Sequence, residues 1–107
     1  MSDAAQQPYG LPPDVLERLN AVFRACPQIE RVILYGSRAK GNFRRGSDID
    51  LCLEADRMTI EDLLKLSGEI DDLLLPWKVD LVLKHAIENA ELLAHIKRVG
   101  VPVYERG

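Results

Sequence analysis

The chain is short of the residues on which several classes of protein depend. Its 107 residues include only two cysteines and two histidines. Cys26 and Cys52 have no CxxC spacing and no histidine pair beside them, so the sequence indicates neither a zinc site nor a disulfide framework. We expect both cysteines to be buried, reduced thiols, one in a helix and one in a strand.

Long apolar runs and an excess of basic charge are also missing. No run reaches membrane-spanning length and no signal peptide opens the chain, so we expect a cytoplasmic protein without membrane contact. The formal net charge of −3 and the pI near 5.3 argue against direct nucleic-acid binding, which needs a basic surface. The length allows one modest core, and we expect a flexible segment over residues 1–10 and a single domain over residues 11–107.

The informative part of the chain is the run GSRAKGNFRRGSDID, which begins at Gly36. Before it, Val32–Tyr35 is β-branched and aromatic, which predicts a buried strand. Gly36 would let the backbone turn sharply, and Ser37 is predicted to be the N-cap of a short helix. Since a helix start offers unpaired N–H groups, Gly36 and Ser37 are candidate phosphate ligands. Two basic residues that follow would add positive charge: Arg38 and Lys40.

The end of the run supplies neighbouring carboxylates. In a strand, Asp48 and Asp50 project to one face, while Ile49 and Leu51 pack on the other. Two adjacent carboxylates repel each other unless a cation lies between them. Mg²⁺ suits such a pair because it prefers oxygen ligands and retains waters and substrate phosphates. The pair alone is equally compatible with a solvated start of a strand.

A third aspartate lies within another apolar segment. Val79–Leu83 is predicted to be a strand, and Asp80 would be costly there if it faced a dry core. It could be a satisfied residue of an edge strand. If this strand lies beside the strand of Asp50, however, Asp80 completes a cluster of three carboxylates.

The rest of the chain predicts three longer helices and a final strand. The first helix begins at Pro12–Asp14 and ends before Pro27, the second begins at Thr59, and the third spans residues 86–99 with Gly100 as its C-cap. Val101–Tyr104 is predicted to be an edge strand because it contains Pro102. The apolar stripe of the second helix is assigned to the core: Ile60, Leu63, Leu64, Leu66, Ile70, Leu73 and Leu74.

Single residues outside these segments have less specific interpretations. His85 is expected at the surface and His95 in a structural or exposed position. Trp77 is predicted to anchor packing, with stacking on a base or a partner contact as the alternative.

The motif resembles that of a known superfamily. Gly36-Ser37, ten residues and then Asp48-Ile49-Asp50 match the G-S-x10-D-x-D signature of the DNA polymerase β-type nucleotidyltransferases. Asp80 stands where that family has its third carboxylate. The small size resembles the minimal nucleotidyltransferases, the MNT group of HEPN/MNT toxin–antitoxin pairs. The resemblance covers about residues 15–104 and implies an α/β (α+β) fold, a small mixed β-sheet with helices.

This resemblance implies a reaction and a partner. Nucleotidyl transfer would move AMP from ATP to a hydroxyl group, with Asp48, Asp50 and Asp80 as catalytic residues that hold two Mg²⁺ ions. The implied nucleotide-binding residues are Gly36, Ser37, Arg38 and Lys40. Proteins of this group resemble antitoxins that form a hetero-oligomer with a HEPN-domain toxin and transfer AMP to one of its tyrosines.

Two alternatives remain open at this stage. The protein could transfer nucleotides to a small molecule, although such enzymes usually carry an additional helical domain. It could also be a non-catalytic, nucleotide-binding antitoxin or adaptor that acts by contact alone. Three clustered acids would have no purpose in such an adaptor.

Overall fold

The computed structural model describes residues 8–106, which form a four-stranded mixed sheet with helices on both faces. The elements in chain order are α1 (Pro13–Arg24), β1 (Arg31–Tyr35), α2 (Gly36–Lys40), β2 (Ile49–Glu54), α3 (Ile60–Asp71), β3 (Val79–Leu83), α4 (Ala90–Val99) and β4 (Val101–Glu105). The strand order is β3-β2-β1-β4. Strand β1 is antiparallel to β2 and β4, and β2 is parallel to β3. This is the small mixed α/β architecture predicted from the sequence.

Alternation of side chains along β2 divides the core into two parts. Ile49, Leu51 and Leu53 are fully buried and pack on the face covered by α1 and α3. Cys52 lies on the opposite face, where it packs with Tyr35 and with Ile96 of α4. Because side chains alternate with a period of two, Asp50 lies on the same face as Cys52. The acidic end of the motif therefore projects toward α4.

The helices begin where local sequence stabilises their first turns. Pro13 occupies the first turn of α1, where its missing N–H is not needed. Thr59 and Asp62 form a reciprocal capping box at the start of α3, which satisfies two backbone N–H groups. The Asn89 side chain accepts hydrogen bonds from the backbone N–H groups of Glu91 and Leu92 in the first turn of α4. The predicted start of the second helix at Thr59 is thereby confirmed as an N-cap.

Several predicted boundaries are wrong by a few residues. The third long helix begins at Ala90 rather than residue 86, because residues 84–86 form a separate 3-10 turn. Helix α1 ends at Arg24, so Cys26 lies after the helix and is only partly buried. Helix α2 begins at Gly36 with Tyr35 as its N-cap, so Ser37 belongs to the first turn and caps nothing.

The assignment of the whole second-helix stripe to the core is also wrong. Leu66 and Ile70 are buried, whereas Ile60 and Leu64 are 59% and 66% exposed. Leu74, beyond the helix end, is 86% exposed. The apolar residues of α3 are thus spread over more of the helix surface than the side that packs on the sheet.

The ends of the chain bear on two further predictions. Strand β4, with Pro102, is an edge strand as predicted. Of the segment 1–10 that was predicted to be flexible, residues 1–7 lie outside the described residues, as does residue 107 of the predicted domain. Residues 8–10 form a 3-10 turn in which Tyr9 packs against the core. No helix within residues 8–106 is long and apolar enough to cross a membrane.

Candidate active site

Three polar residues lie in one row across the sheet. Tyr35 of β1 is the register partner of Asp50 in β2, and Asp50 is the register partner of Asp80 in β3. Register partners on neighbouring strands share a face, so the three side chains lie side by side on the α4 face. The predicted adjacency of the strands that carry Asp50 and Asp80 is confirmed.

Asp48 lies next to this row, immediately before β2 begins at Ile49. Its side chain is exposed, whereas Asp50 and Asp80 are half-buried. The negative charges of Asp80 and Asp48 reach Asp50, since both add to the rise in its pKa. The structure therefore brings the three predicted carboxylates into one electrostatic neighbourhood at the end of the sheet where β2 and β3 begin.

Burial is the main cause of the raised pKa of Asp50, followed by the charges of Asp80 and Asp48. Two cations oppose the rise, first His95 and then Lys78. Tyr35 has a pKa raised to about 12, because burial and the negative charge of Asp50 both disfavour its phenolate. Both shifts thus have burial as their main cause, with neighbouring carboxylates adding to it.

The carboxylates do not form a closed ligand set. Within residues 8–106, no three His, Cys, Asp or Glu side chains converge to hold a metal ion. Asp80 instead pairs with Lys78, with 3.5 Å between its carboxylate Oδ1 and the lysine Nζ. The pair is largely exposed and therefore weak.

Gly36 links the phosphate-binding candidate residues to the carboxylates. It adopts a left-handed conformation with φ of 76°, which favours glycine. A Cβ atom added to Gly36 would overlap the carboxylate of Asp50 and would lie 3.3 Å from its Cγ atom. The turn after β1 therefore lies directly against the aspartate of β2. Ser37 follows in the partly exposed first turn of α2, and Lys40 is exposed at the helix end.

Arg38 is placed differently from the other predicted nucleotide-binding residues. It is only 1% exposed, and its guanidinium donates to the carbonyl oxygens of Tyr9, Arg45 and Ser47. Burial lowers the pKa of Arg38, and the charge of Asp48 opposes this. These bonds from its N–H groups hold the loop before Asp48. That Arg38 also adds charge to the nucleotide site stays a prediction.

Two aromatic rings complete the surroundings of Arg38. Its guanidinium carbon lies 5.2 Å from the ring centroid of Phe43 and 5.5 Å from that of Trp77. The indole N–H of Trp77 donates to the carbonyl of Arg45 at 3.0 Å. Trp77 is therefore a packing anchor in the described chain, as predicted. We refer to Arg38 and the groups it binds as the arginine clamp.

Sequence reasoning did not identify Lys78, Tyr35 or His95 as neighbours of the carboxylates. Lys78 could have been found, because it stands two positions before Asp80 and shares its face. Tyr35 had a weaker signal, its position directly before Gly36. The ring of His95 lies edge-on to that of Tyr35, with centroids 6.2 Å apart. Nothing in the sequence pairs α4 with β1, so the position of His95 depends on tertiary structure.

The sequence was compared with models of protein families. Residues 17–107 match the family described as polymerase beta, nucleotidyltransferase. A search of curated proteins found no match.

Several solved structures share the fold. A toxin–antitoxin crystal structure with AMP-PNP has a TM-score of 0.71 at 22% identity, over 85% of this chain and 73% of that chain. A complex of the tri-AMPylated Shewanella oneidensis HEPN toxin with the MNT antitoxin has a TM-score of 0.65 at 18% identity, over 86% and 71%. A Sulfolobus solfataricus protein described as a putative nucleotidyltransferase has a TM-score of 0.56 at 22% identity, over 85% and 77%. At these identities the similarity establishes the fold.

Proposed function

The chain belongs to the polymerase β nucleotidyltransferase family, and we propose that it transfers AMP from ATP to a hydroxyl group of a protein partner. We propose further that the acceptor is a tyrosine of a cognate HEPN-domain toxin, that the two proteins form a hetero-oligomer in the cytoplasm, and that the modification neutralises the toxin. The observation that carries the proposed chemistry is the position of Gly36 against Asp50, with Asp80 beside it in register.

The donor set fits Mg²⁺. All three candidate ligands are carboxylates, and the charges of Asp80 and Asp48 add to the burial that raises the pKa of Asp50. Side chains with like charges that face one another are stabilised by a hard cation with oxygen ligands. Asp48 and Asp50 would bind two Mg²⁺ ions, and Asp80 would complete the set after separating from Lys78. When bound, the metal would neutralise phosphate charge and activate the acceptor oxygen.

The remaining residues bind and orient the reactants. The start of α2 at Gly36 and Ser37 would receive the β- and γ-phosphates, and the exposed ammonium of Lys40 would add charge. The acceptor hydroxyl oxygen would bond to the α-phosphorus as the bond from that phosphorus to the oxygen of the leaving pyrophosphate breaks. The hydroxyl proton would pass to water beside Asp80. The arginine clamp would keep the loop that carries Asp48 in place beside this reaction.

The choice of ATP and of a HEPN toxin is supported by two structurally similar complexes, one with AMP-PNP and one with an AMPylated HEPN toxin. The alternative is neutralisation by contact alone.

Intact mass of both proteins separates these two functions. The chain is incubated with Mg²⁺, each nucleoside triphosphate in turn, and the HEPN-domain protein encoded beside it. We expect addition of AMP to the partner with ATP, no addition with Asp50→Asn, and normal addition with the exposed control Asp14→Asn. Neutralisation of the toxin without any change in mass would establish the contact-only function instead.

A further inference from the structure

Among the described residues, the large apolar side chains that are exposed lie in α3 or shortly after it. They are Ile60 and Leu64 of α3 and Leu74 in the turn after it. Ile60 and Leu64 are four residues apart and therefore lie on the same side of the helix. Exposed apolar side chains scattered singly are ordinary, but a group on one element marks an interaction surface.

This side of α3 borders a hollow beside the sheet. The hollow has a volume of about 330 Å³, and its walls include Leu63, Leu64 and Ser67 from α3 and Val79 and Leu81 from β3. Strand β3 is an edge strand, so this boundary of the sheet is not covered by another strand in the described part of the chain. We call the hollow together with Ile60 and Leu64 the α3–β3 groove.

The groove and the candidate active site share the edge strand β3. Lys78 and Asp80 also line the hollow, and both belong to the site described above. A molecule in the groove would therefore lie against the strand that carries one of the three carboxylates.

We propose that the α3–β3 groove binds the apolar side of a helix from the acceptor protein, with lysine or arginine residues flanking that side. This proposal rests on the proposed function, because it identifies where the partner docks. The helix wall of the groove, from Leu64 to Asp71, is about 10 Å long, which is two helical turns. Side chains spaced at three or four residues on a partner helix would fill the hollow, which the small Ser67 leaves open.

Charge determines which occupant fits. The acids Asp71 and Asp80 line the hollow, and the exposed Glu61 follows Ile60 in sequence. Lys78 is the basic residue of the lining. Two copies of this chain would bring acidic rims together, which disfavours a symmetric dimer through the groove. The sequence of residues 1–7, MSDAAQQ, has a single large apolar residue and does not match the groove. A different protein with a basic rim matches both properties.

The test is binding of the co-encoded HEPN-domain protein to the full chain, measured as Kd by calorimetry. We expect the double variant Ile60→Ala/Leu64→Ala to weaken binding at least tenfold. The control Lys65→Ala, on the other side of α3, should leave the Kd unchanged. Alanine favours helix, so loss of binding would not come from unfolding of α3. Asp71→Lys should also weaken binding, although a cation at the end of the helix favours the helix itself.

Two further measurements separate this proposal from the proposed function. The affinity of the double variant for Mg²⁺-ATP should equal that of the wild type, and its AMP transfer should recover at saturating partner concentration. An unchanged Kd for the double variant overturns the docking site, even if AMP transfer is normal. Self-association of the wild type that the double variant lacks would also overturn it, in favour of a second copy. Binding through the groove without AMP transfer would instead contradict the proposed reaction.

Discussion

Gly36 and Asp50 are packed so closely that no side chain fits between them. The glycine follows β1, the aspartate lies in β2, and a Cβ atom on Gly36 would overlap the carboxylate. Gly36 also has a positive φ, so an alanine there meets two separate penalties. The contact joins the turn proposed to bind phosphates to a residue proposed to bind metal.

We predict that Gly36→Ala lowers the free energy of unfolding by about 1–3 kcal/mol and abolishes AMP transfer. The strain of the left-handed backbone accounts for the loss of stability, and displacement of the Asp50 carboxylate accounts for the loss of activity. Gly41→Ala is a matched control, because Gly41 has φ of 89° and open space where its Cβ would be. Urea unfolding and intact mass measure the two effects. Equal activities of the two variants would show that the Gly36–Asp50 contact is not needed for transfer.

The second prediction concerns the charge of Asp50. Asp50→Asn should reduce transfer more than ~100-fold, because a candidate metal ligand is lost. In EDTA the same variant should melt several degrees above the wild type, since burial and two neighbouring carboxylates disfavour the charged form of Asp50. Calorimetric melting with EDTA and then with Mg²⁺ checks this, and Mg²⁺ should raise the Tm of the wild type only. A lower Tm of Asp50→Asn in EDTA would contradict the repulsion.

The raised pKa of Asp50 also makes the free energy of unfolding depend on pH in a defined direction. A carboxyl whose pKa is higher in the folded than in the unfolded protein favours folding when it is protonated. In EDTA its contribution should therefore grow as pH falls from 7 through the raised pKa toward the ordinary value of 3.8. Asp62 has the opposite sign, because hydrogen bonds from Thr59 lower its pKa. Subtracting the unfolding free energies of Asp50→Asn from those of the wild type at each pH isolates Asp50.

His95 should affect the pH at which Asp50 titrates. Its positive charge opposes the rise in the pKa of Asp50, so His95→Ala should raise that pKa further. Carboxyl-carbon NMR titration of the metal-free protein measures it directly. His85→Ala is the control. The Nε2 atom of His85 lies 3.0 Å from the carbonyl oxygen of Met58, and His85 is not among the causes of the pKa shift of Asp50. A lower pKa of Asp50 in His95→Ala would exclude a charge effect.

The arginine clamp makes a further prediction. Arg38→Met should lower the free energy of unfolding by about 2–4 kcal/mol, because it leaves three carbonyl groups without their charged donor. Lys40→Met, at an exposed position, should leave stability within about 0.5 kcal/mol and weaken ATP binding. Urea unfolding and calorimetric titration with Mg²⁺-ATP provide both numbers. If Arg38→Met is as stable as the wild type but binds ATP weakly, Arg38 contributes to the nucleotide site rather than to stability.

Sequence analysis predicted the elements whose local signals agree with their tertiary surroundings. The β-branched run before Gly36 is a buried strand, and the alternation of Asp50 with Leu51 separates the two faces of β2. A capping signal at Thr59 fixed the start of α3. In each case the residues next to one another in sequence determine the structure.

The predictions are wrong where contacts between segments distant in sequence determine the position of a residue. Helical spacing groups Ile60 and Leu64 with the core residue Leu66, but it does not show which side of α3 meets the sheet. A charged residue such as Arg38 suggests a position facing solvent or phosphate, because the carbonyls that bind it come from loops with no recognisable pattern. His95 approaches Asp50 only after α4 packs across β1.

One side chain ties together parts of the chain that are far apart in sequence. The carbonyls bound by Arg38 belong to residues 9, 45 and 47, and Trp77 joins them through Arg45. Local opening at any of these points breaks bonds at the others, so the segments are expected to open as one cooperative unit. Hydrogen exchange of their amide groups should therefore give a common free energy of opening. That free energy would determine how often the loop before Asp48 opens.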